Sequence, residues 1–460
     1  MARLVHPRRA LSTNPLKTSA PLGAAMAYLG IAGAVPLFHG AQGCTAFAMV
    51  HLVRHFHEAI PLQTTAMNEI SAILGGGEQI EAAIENLLAR AKPQFIGIAS
   101  TALAETRGED IAGELRAIME RRPDFAGLAV VHAATPDFKG GLEDGWAHAV
   151  EAIITALVPA QGGATVAGQV NFLPGSHLTP AEVEEIAGMI RAFGLTPIIL
   201  PDISTSLDGH LAADWSGTST GGTPLAAIRA MANSVATLAV GEAMRPAANL
   251  LAARGVPARV FGGLTGLRAT DAFVTALMEL SGHEPPAIIK RDRARLTDAC
   301  LDAHFQIGGL RVALAAEPDL AFGLGSGLTA MGAEIVAAVT TAGQNPNAER
   351  IPADEVIIGD LGDLERAAAA AGAQLMLTHA HGRMGAERLH LPLVRAGFPI
   401  MDRLGAQDQC RVGYRGTRAF YFEIANAVLA QSHRPRPEDF GAARIDQEFE
   451  HAPDTPPAPH

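Results

Sequence analysis

The chain has 460 residues, 48% of them hydrophobic and 18% charged, with a formal net charge of −12. That balance lacks the basic excess of a nucleic-acid binder, and the length suggests about two to four domains with buried cores. Three cysteines, Cys44, Cys300 and Cys410, stand far apart with no CxxC pair, which argues against a disulfide framework and against a self-contained zinc or ferredoxin-type site.

Arg3, Arg8, Arg9 and Lys17 precede an apolar stretch from Leu22 to Phe38 that superficially resembles a signal peptide or anchor. Gly23, Gly30, Gly33 and Pro36 interrupt it, and it is short for a spanning helix, so the expected location is cytoplasmic. Phe95–Ser100 then reads as a buried strand, followed by a helix over about 109–121, a strand at Leu128–His132 and a helix over 144–157. Apolar runs separated by amphipathic stretches are the signature of a parallel sheet.

A turn-rich break at Pro159–Gly163 precedes a second round. Its expected elements are a strand over 164–172, a helix capped by Thr179 with Pro180 at its first position, and strands at 196–200, 235–240 and 258–261, with helices over 242–253 and 268–280. A third round contains strands at 311–315, 334–340, 355–358 and 374–378, a helix from about Glu317, and a closing helix over 414–429. The expected fold class is α/β, with three Rossmann-like domains of parallel sheet around a central cleft. The limits are an N-terminal extension over 1–21, domains over 22–162, 163–295 and 296–432, and a Pro-rich, disordered tail over 433–460. Ligands in such sheets sit beyond the carboxyl ends of the strands.

The most informative turn is Phe38-His39-Gly40-Ala41-Gln42-Gly43-Cys44. Iron–sulfur clusters need thiolates on iron and backbone N–H groups near sulfide. Gly40 and Gly43 would let the backbone approach a bulky group. On spacing alone, a small buried cysteine in a Gly-rich turn is the simpler reading, because one thiolate cannot hold a cubane. Four other constellations compete. His51, His55, His57 and Glu58 place two histidines at i, i+4, but not in the order HExxH. Thr378-His379-Ala380-His381 ends a strand as metal hydrolases do, although in the wrong chain position; Arg383 and Arg388 nearby could instead attract an anionic cluster. Asp202 to Asp214 is an acidic loop, and Gly323-Leu324-Gly325-Ser326-Gly327 lacks the Lys-Ser/Thr end of a phosphate loop.

LFHGAQGC resembles the first signature of the nitrogenase component 1 family. The likeness continues in Asn14–Lys17 with Pro21–Ala24, in Thr64–Glu69 with Gly75–Gly77, and in His390–Ile400 with Asp402-Arg403, so it spans roughly 12–430. Catalytic members carry a Ser-Thr-Cys segment. This chain reads Ser100-Thr101-Ala102, and Leu62 stands where a catalytic β subunit has a further cysteine. The resemblance therefore implies the scaffold branch, on which the iron–molybdenum cofactor precursor is matured, and an assembly scaffold rather than an independent enzyme. It implies that Cys44 supplies one thiolate to a [4Fe-4S] cluster shared with a NifE-like subunit, with Gly40 and Gly43 shaping the turn and His39 fixing it. It further implies a heterotetramer, a transient cofactor precursor held mainly by the partner, NifB as its donor, the nitrogenase Fe protein as a visitor and the catalytic apoprotein as acceptor. A catalytic nitrogenase β subunit, a light-independent protochlorophyllide reductase subunit and a metal hydrolase using His379 and His381 remain the alternatives.

Overall fold

The computed structural model describes residues 1–7, 12, 14–211 and 214–432; the tail expected to be disordered lies outside them. Strand β1 (Arg3–Val5) opens the chain. The apolar stretch that follows becomes helix α1 (Ala20–Leu29) and strand β2 (Ala34–His39), both buried along their whole length. Among the described residues no helix is long and apolar enough to cross a membrane. The glycines that interrupt the stretch serve packing. A Cβ on Gly23 would lie 1.9 Å from the Leu142 carbonyl oxygen, and one on Gly145 would lie 1.8 Å from that of Ala20. Two helices therefore cross with backbones in contact, which only glycine permits.

Helices α2 (Gln42–Phe56), α3 (Glu69–Leu74), α4 (Gly77–Arg90), α5 (Ala102–Arg107), α6 (Ile111–Arg121) and α7 (Leu142–Leu157) surround a first sheet. It is formed by β2 with β3 (Gln63–Thr64), β4 (Phe95–Ser100) and β5 (Ala129–Ala133), ordered β3-β2-β4-β5 and all parallel. The register pairs His39 with Ser100 and Ala99 with Ala133, so the three strand ends finish level. Runs such as FIGIAS are buried on both faces, as a parallel sheet covered by helices requires.

A second parallel sheet follows from β6 (Gln169–Pro174), β7 (Thr196–Ile199), β8 (Ala236–Val240) and β9 (Ala258–Phe261), ordered β7-β6-β8-β9. Its first strand begins at Gln169 rather than 164, because residues 164–167 are exposed and gain nothing by pairing. The third sheet contains β10 (Arg311–Ala315), β11 (Glu334–Thr340), β12 (Glu355–Ile358), β13 (Leu375–Thr378) and β14 (Leu393–Arg395), ordered β1-β12-β11-β10-β13-β14. Part of the expected N-terminal extension thus joins the third sheet, with Arg3 opposite Glu355.

A buried polar junction ties the three sheets together. Glu143, at the start of α7, accepts hydrogen bonds from the Asp319 amide at 3.2 Å and from the Asn345 side chain. Asp319 accepts from the amides of Glu242 and Ala243, both at 3.1 Å, and from Asn347 at 2.7 Å. Burial, with Asp319 and Glu317 nearby, pushes the Glu143 carboxyl well above the usual carboxylate range. Burial likewise pushes Glu317 up to about 7, against a hydroxyl hydrogen bond from Thr341. Proton retention offsets the cost of crowding these carboxyls away from water.

Candidate functional site

The turn from His39 to Cys44 leaves the carboxyl end of β2 and enters α2. His39 is fully buried, with Nδ1 3.0 Å from Thr65 Oγ1 and Nε2 2.7 Å from Glu109 Oε2. An ionised Glu109 can only accept, so His39 donates to it from Nε2; in the neutral ring Nδ1 then accepts the Thr65 hydroxyl, whose oxygen also accepts the Gly40 amide at 3.2 Å. The His39 carbonyl accepts from both the amide and hydroxyl of Thr101, and the Gly40 carbonyl from the Met67 amide at 2.9 Å. The turn is therefore fixed from three segments: the loop after β3, the start of α5 and the link between α5 and α6. Thr65 and Thr101, from two other strand ends, and Glu109, from the link between α5 and α6, are its partners, which sequence spacing does not connect.

The two glycines differ. A Cβ on Gly40 would lie 2.1 Å from Thr101 Oγ1, so the chain itself demands glycine there. A Cβ on Gly43 would meet nothing within 4 Å. Gly43 and Cys44 occupy the exposed first turn of α2, where the positive end of the helix favours a thiolate. In the chain alone burial, and then the charge of Asp137, outweigh that and hold the Cys44 thiol above its ordinary value. Iron would reverse the balance, since a coordinating thiol loses its proton.

Asp137 reaches in from the loop after β5. Its Oδ2 accepts the Ala102 amide at 3.4 Å, while Oδ1 is buried and accepts no hydrogen bond. Ala102 opens α5 beside it, and Leu62 is buried in the apolar core. Around this end of the sheet Phe47, Val50, Ile70, Ile73, Leu103 and Phe138 are exposed, with Phe47 presenting 70% of its surface. Large apolar side chains exposed together are the usual mark of an interaction surface.

A cavity of about 650 Å³ is lined by Cys44, Asp137, His51 and His381 and by the segment before and into α1, Lys17 among it. Neither histidine motif builds a metal site; among the described residues no group of three or more His, Cys, Asp or Glu side chains is arranged to hold a metal ion. His51 and His55 are both buried on the inner face of α2. His55 Nδ1 accepts the Ile400 amide at 2.9 Å, and burial lowers its pKa to about 3. His379 donates from Nε2 to the Leu16 carbonyl at 3.1 Å, accepts the His381 amide at Nδ1, and is lowered by burial to about 4. Arg388 is paired with Glu365 at 2.6 Å and Arg383 with Glu387 at 3.6 Å, so both of these charges are already matched. The glycines of 323–327 lie inside the helix Pro318–Thr329, not in a phosphate loop. Cys410 is held against the Val412 carbonyl, and Cys300 packs on the core.

The family model described as nitrogenase component 1 type oxidoreductase matches residues 19–429. The chain belongs to the nitrogenase component 1 family. It is 67% identical to the nitrogenase iron-molybdenum cofactor biosynthesis protein NifN of Rhodobacter capsulatus, over the full length of both chains. It is 49% identical to the protein of that name from Mesorhizobium japonicum, over 95% of each. A chain of a solved nitrogenase, Cp1 at pH 6.5, superposes with a TM-score of 0.89 at 32% identity, covering 95% of this chain and 98% of that one. Within this component 1 fold, Cys44 is the one cysteine exposed at the carboxyl end of a sheet; Cys300 and Cys410 are both partly covered.

The residues present fit a cluster that is shared, not one that is enclosed. Cys44 is open to solvent, a side chain at 43 would point into free space, and an unpartnered carboxylate oxygen stands nearby. One thiolate leaves three iron sites of a cubane for another chain to fill.

Proposed function

We propose that this chain is one subunit of a two-chain scaffold on which the iron–molybdenum cofactor precursor is matured before transfer to nitrogenase. Cys44 supplies one thiolate to a [4Fe-4S] cluster, and a homologous NifE-like subunit supplies the other three. The observation that carries this reading is a single exposed thiol on a hydrogen-bonded turn, with Ala102 and Leu62 where further thiolates would be needed for a larger cluster. His39, Thr65 and Thr101 hold the turn, Gly43 leaves its outer face clear, and the exposed apolar ring meets the partner. A four-iron cluster bound there would supply one-electron chemistry at the interface. Two such pairs form a heterotetramer. NifB donates the precursor, which the partner mainly holds; the Fe protein visits, and the catalytic apoprotein receives the product. The chain works in the cytoplasm, with domains over 22–162, 163–295 and 296–432.

The test uses the co-purified pair. Cys44→Ala should lose or perturb the permanent four-iron signal, while Cys300→Ala and Cys410→Ala keep it. Unchanged iron content and spectrum in Cys44→Ala would remove the central claim.

A further inference from the structure

We propose that Asp137 is the residue that sets the reduction potential of the cluster bound at Cys44, acting as a fixed negative charge beside it. The inference rests on the Cys44 reading and adds a residue to that site.

Four observations converge on Asp137. It lines the same cavity as Cys44 and Thr101. Its carboxylate is anchored on one side only, by the Ala102 amide, at the position where the family's catalytic members carry a thiolate. Its other oxygen is buried and has no donor, an arrangement that costs free energy unless something at the site uses it. Its charge also acts on the Cys44 thiol, so it would act on any charge placed on the iron next to that sulfur. Burial holds the Asp137 carboxyl above its ordinary value, while the hydrogen bond from the Ala102 amide and the charge of Lys17, another residue of the cavity lining, work against that and favour its ionised form.

The physics is one of sign. Reduction places one electron from an external mediator on the cluster and makes or breaks no bond. Fixed negative charge in a partly dehydrated site opposes that gain, and fixed positive charge favours it. At an effective dielectric constant of about 20, a unit charge within one residue's reach of the iron shifts the ratio of oxidised to reduced cluster by about tenfold or more. For a one-electron couple tenfold corresponds to about 59 mV.

The experiment is an electron-paramagnetic-resonance redox titration of the co-purified pair, expressed without the precursor donor so that the shared cluster is its only iron. Asp137→Asn should keep its iron and raise the midpoint by about tenfold in the oxidised-to-reduced ratio. Asp137→Glu should stay near the wild-type midpoint, and Lys17→Gln should move it the other way. Should the Asn variant fail to pair, Lys17→Gln carries the test, because it leaves the carboxylate in place. An Asp137→Asn pair with full iron and an unmoved midpoint overturns the proposal, and so does an Asp137→Glu pair that moves as far as Asn. Either result leaves the Cys44 reading standing. That reading fails separately if Cys44→Ala keeps its iron.

Discussion

Two turns in this molecule begin alike and end differently. One follows β2 and carries His39 and Cys44; the other follows β13 and carries His379 and His381. Each leaves the carboxyl end of a central parallel strand, where ligands collect in open α/β sheets. In the second turn His379 is used up, one ring nitrogen by the Leu16 carbonyl and the other by the His381 amide. In the first, His39, Thr65 and Thr101 are satisfied, but Cys44 stays exposed and one oxygen of Asp137 and the Thr45 hydroxyl are buried without hydrogen bonds. A strand-end motif becomes a binding site when its donors are not already spent on the chain itself.

The sharpest way to break this contrast is substitution at the tips. Cys44→Ala should abolish or alter the four-iron signal, whereas His381→Ala should change neither iron nor zinc content of the pair by metal analysis. Next in size is Gly40→Ala. Its methyl must displace Thr101, so the variant should lose about 1–3 kcal/mol of stability in denaturant unfolding; an unchanged midpoint would show that the turn is looser than its hydrogen bonds imply. His379→Ala strands the Leu16 carbonyl and the His381 amide and should cost a similar amount, again about 1–3 kcal/mol, with no change in metal.

Acidity separates the regions further. His379 titrates near 4 in the folded chain, below its ordinary 6.5, so the stability its neutral form permits is complete above pH 6.5 and is lost as pH falls through about 4. Glu317 is raised to about 7 from 4.5, so its contribution is greatest below pH 4.5 and is lost as pH rises through about 7. Urea midpoints between pH 4 and 8 should therefore show Glu317→Gln gaining on the wild type at the alkaline end. Parallel curves would remove that assignment. The smallest effect is expected at Gly43→Ala. The methyl meets nothing, and alanine is the better helix former, so the isolated chain should be unchanged or about 0.5–1 kcal/mol more stable. If Gly43 faces a partner or a cluster, the same change should weaken pairing or perturb the signal.

Much of the fold is legible because parallel strands buried on both faces read as short unbroken apolar runs, as in Phe95–Ser100 and Arg311–Ala315. Helix starts marked by side-chain caps are equally plain, and Thr179 with Glu182 forms the expected capping box. Leu22–Phe38 only superficially resembles an anchor, because hydropathy alone cannot separate a lipid-facing helix from one buried by Gly23 against Gly145. Strand β1 escaped notice because three residues acquire their structure only by pairing with Glu355–Ile357.

The sequence by itself determined the kind of protein this is. The His-Gly…Gly-Cys turn and the likeness that continues to about residue 430 carried the family, and Ala102 and Leu62 show where no cysteine stands, because which side chains exist is written in the chain itself. Tertiary structure alone decided which of those side chains are free. Thr65, Thr101 and Glu109 lock His39, His379 is consumed by Leu16, and Asp137 arrives from another strand with an oxygen to spare. Partnership between groups far apart in the chain is a matter of distance, and spacing along one strand of sequence does not encode it.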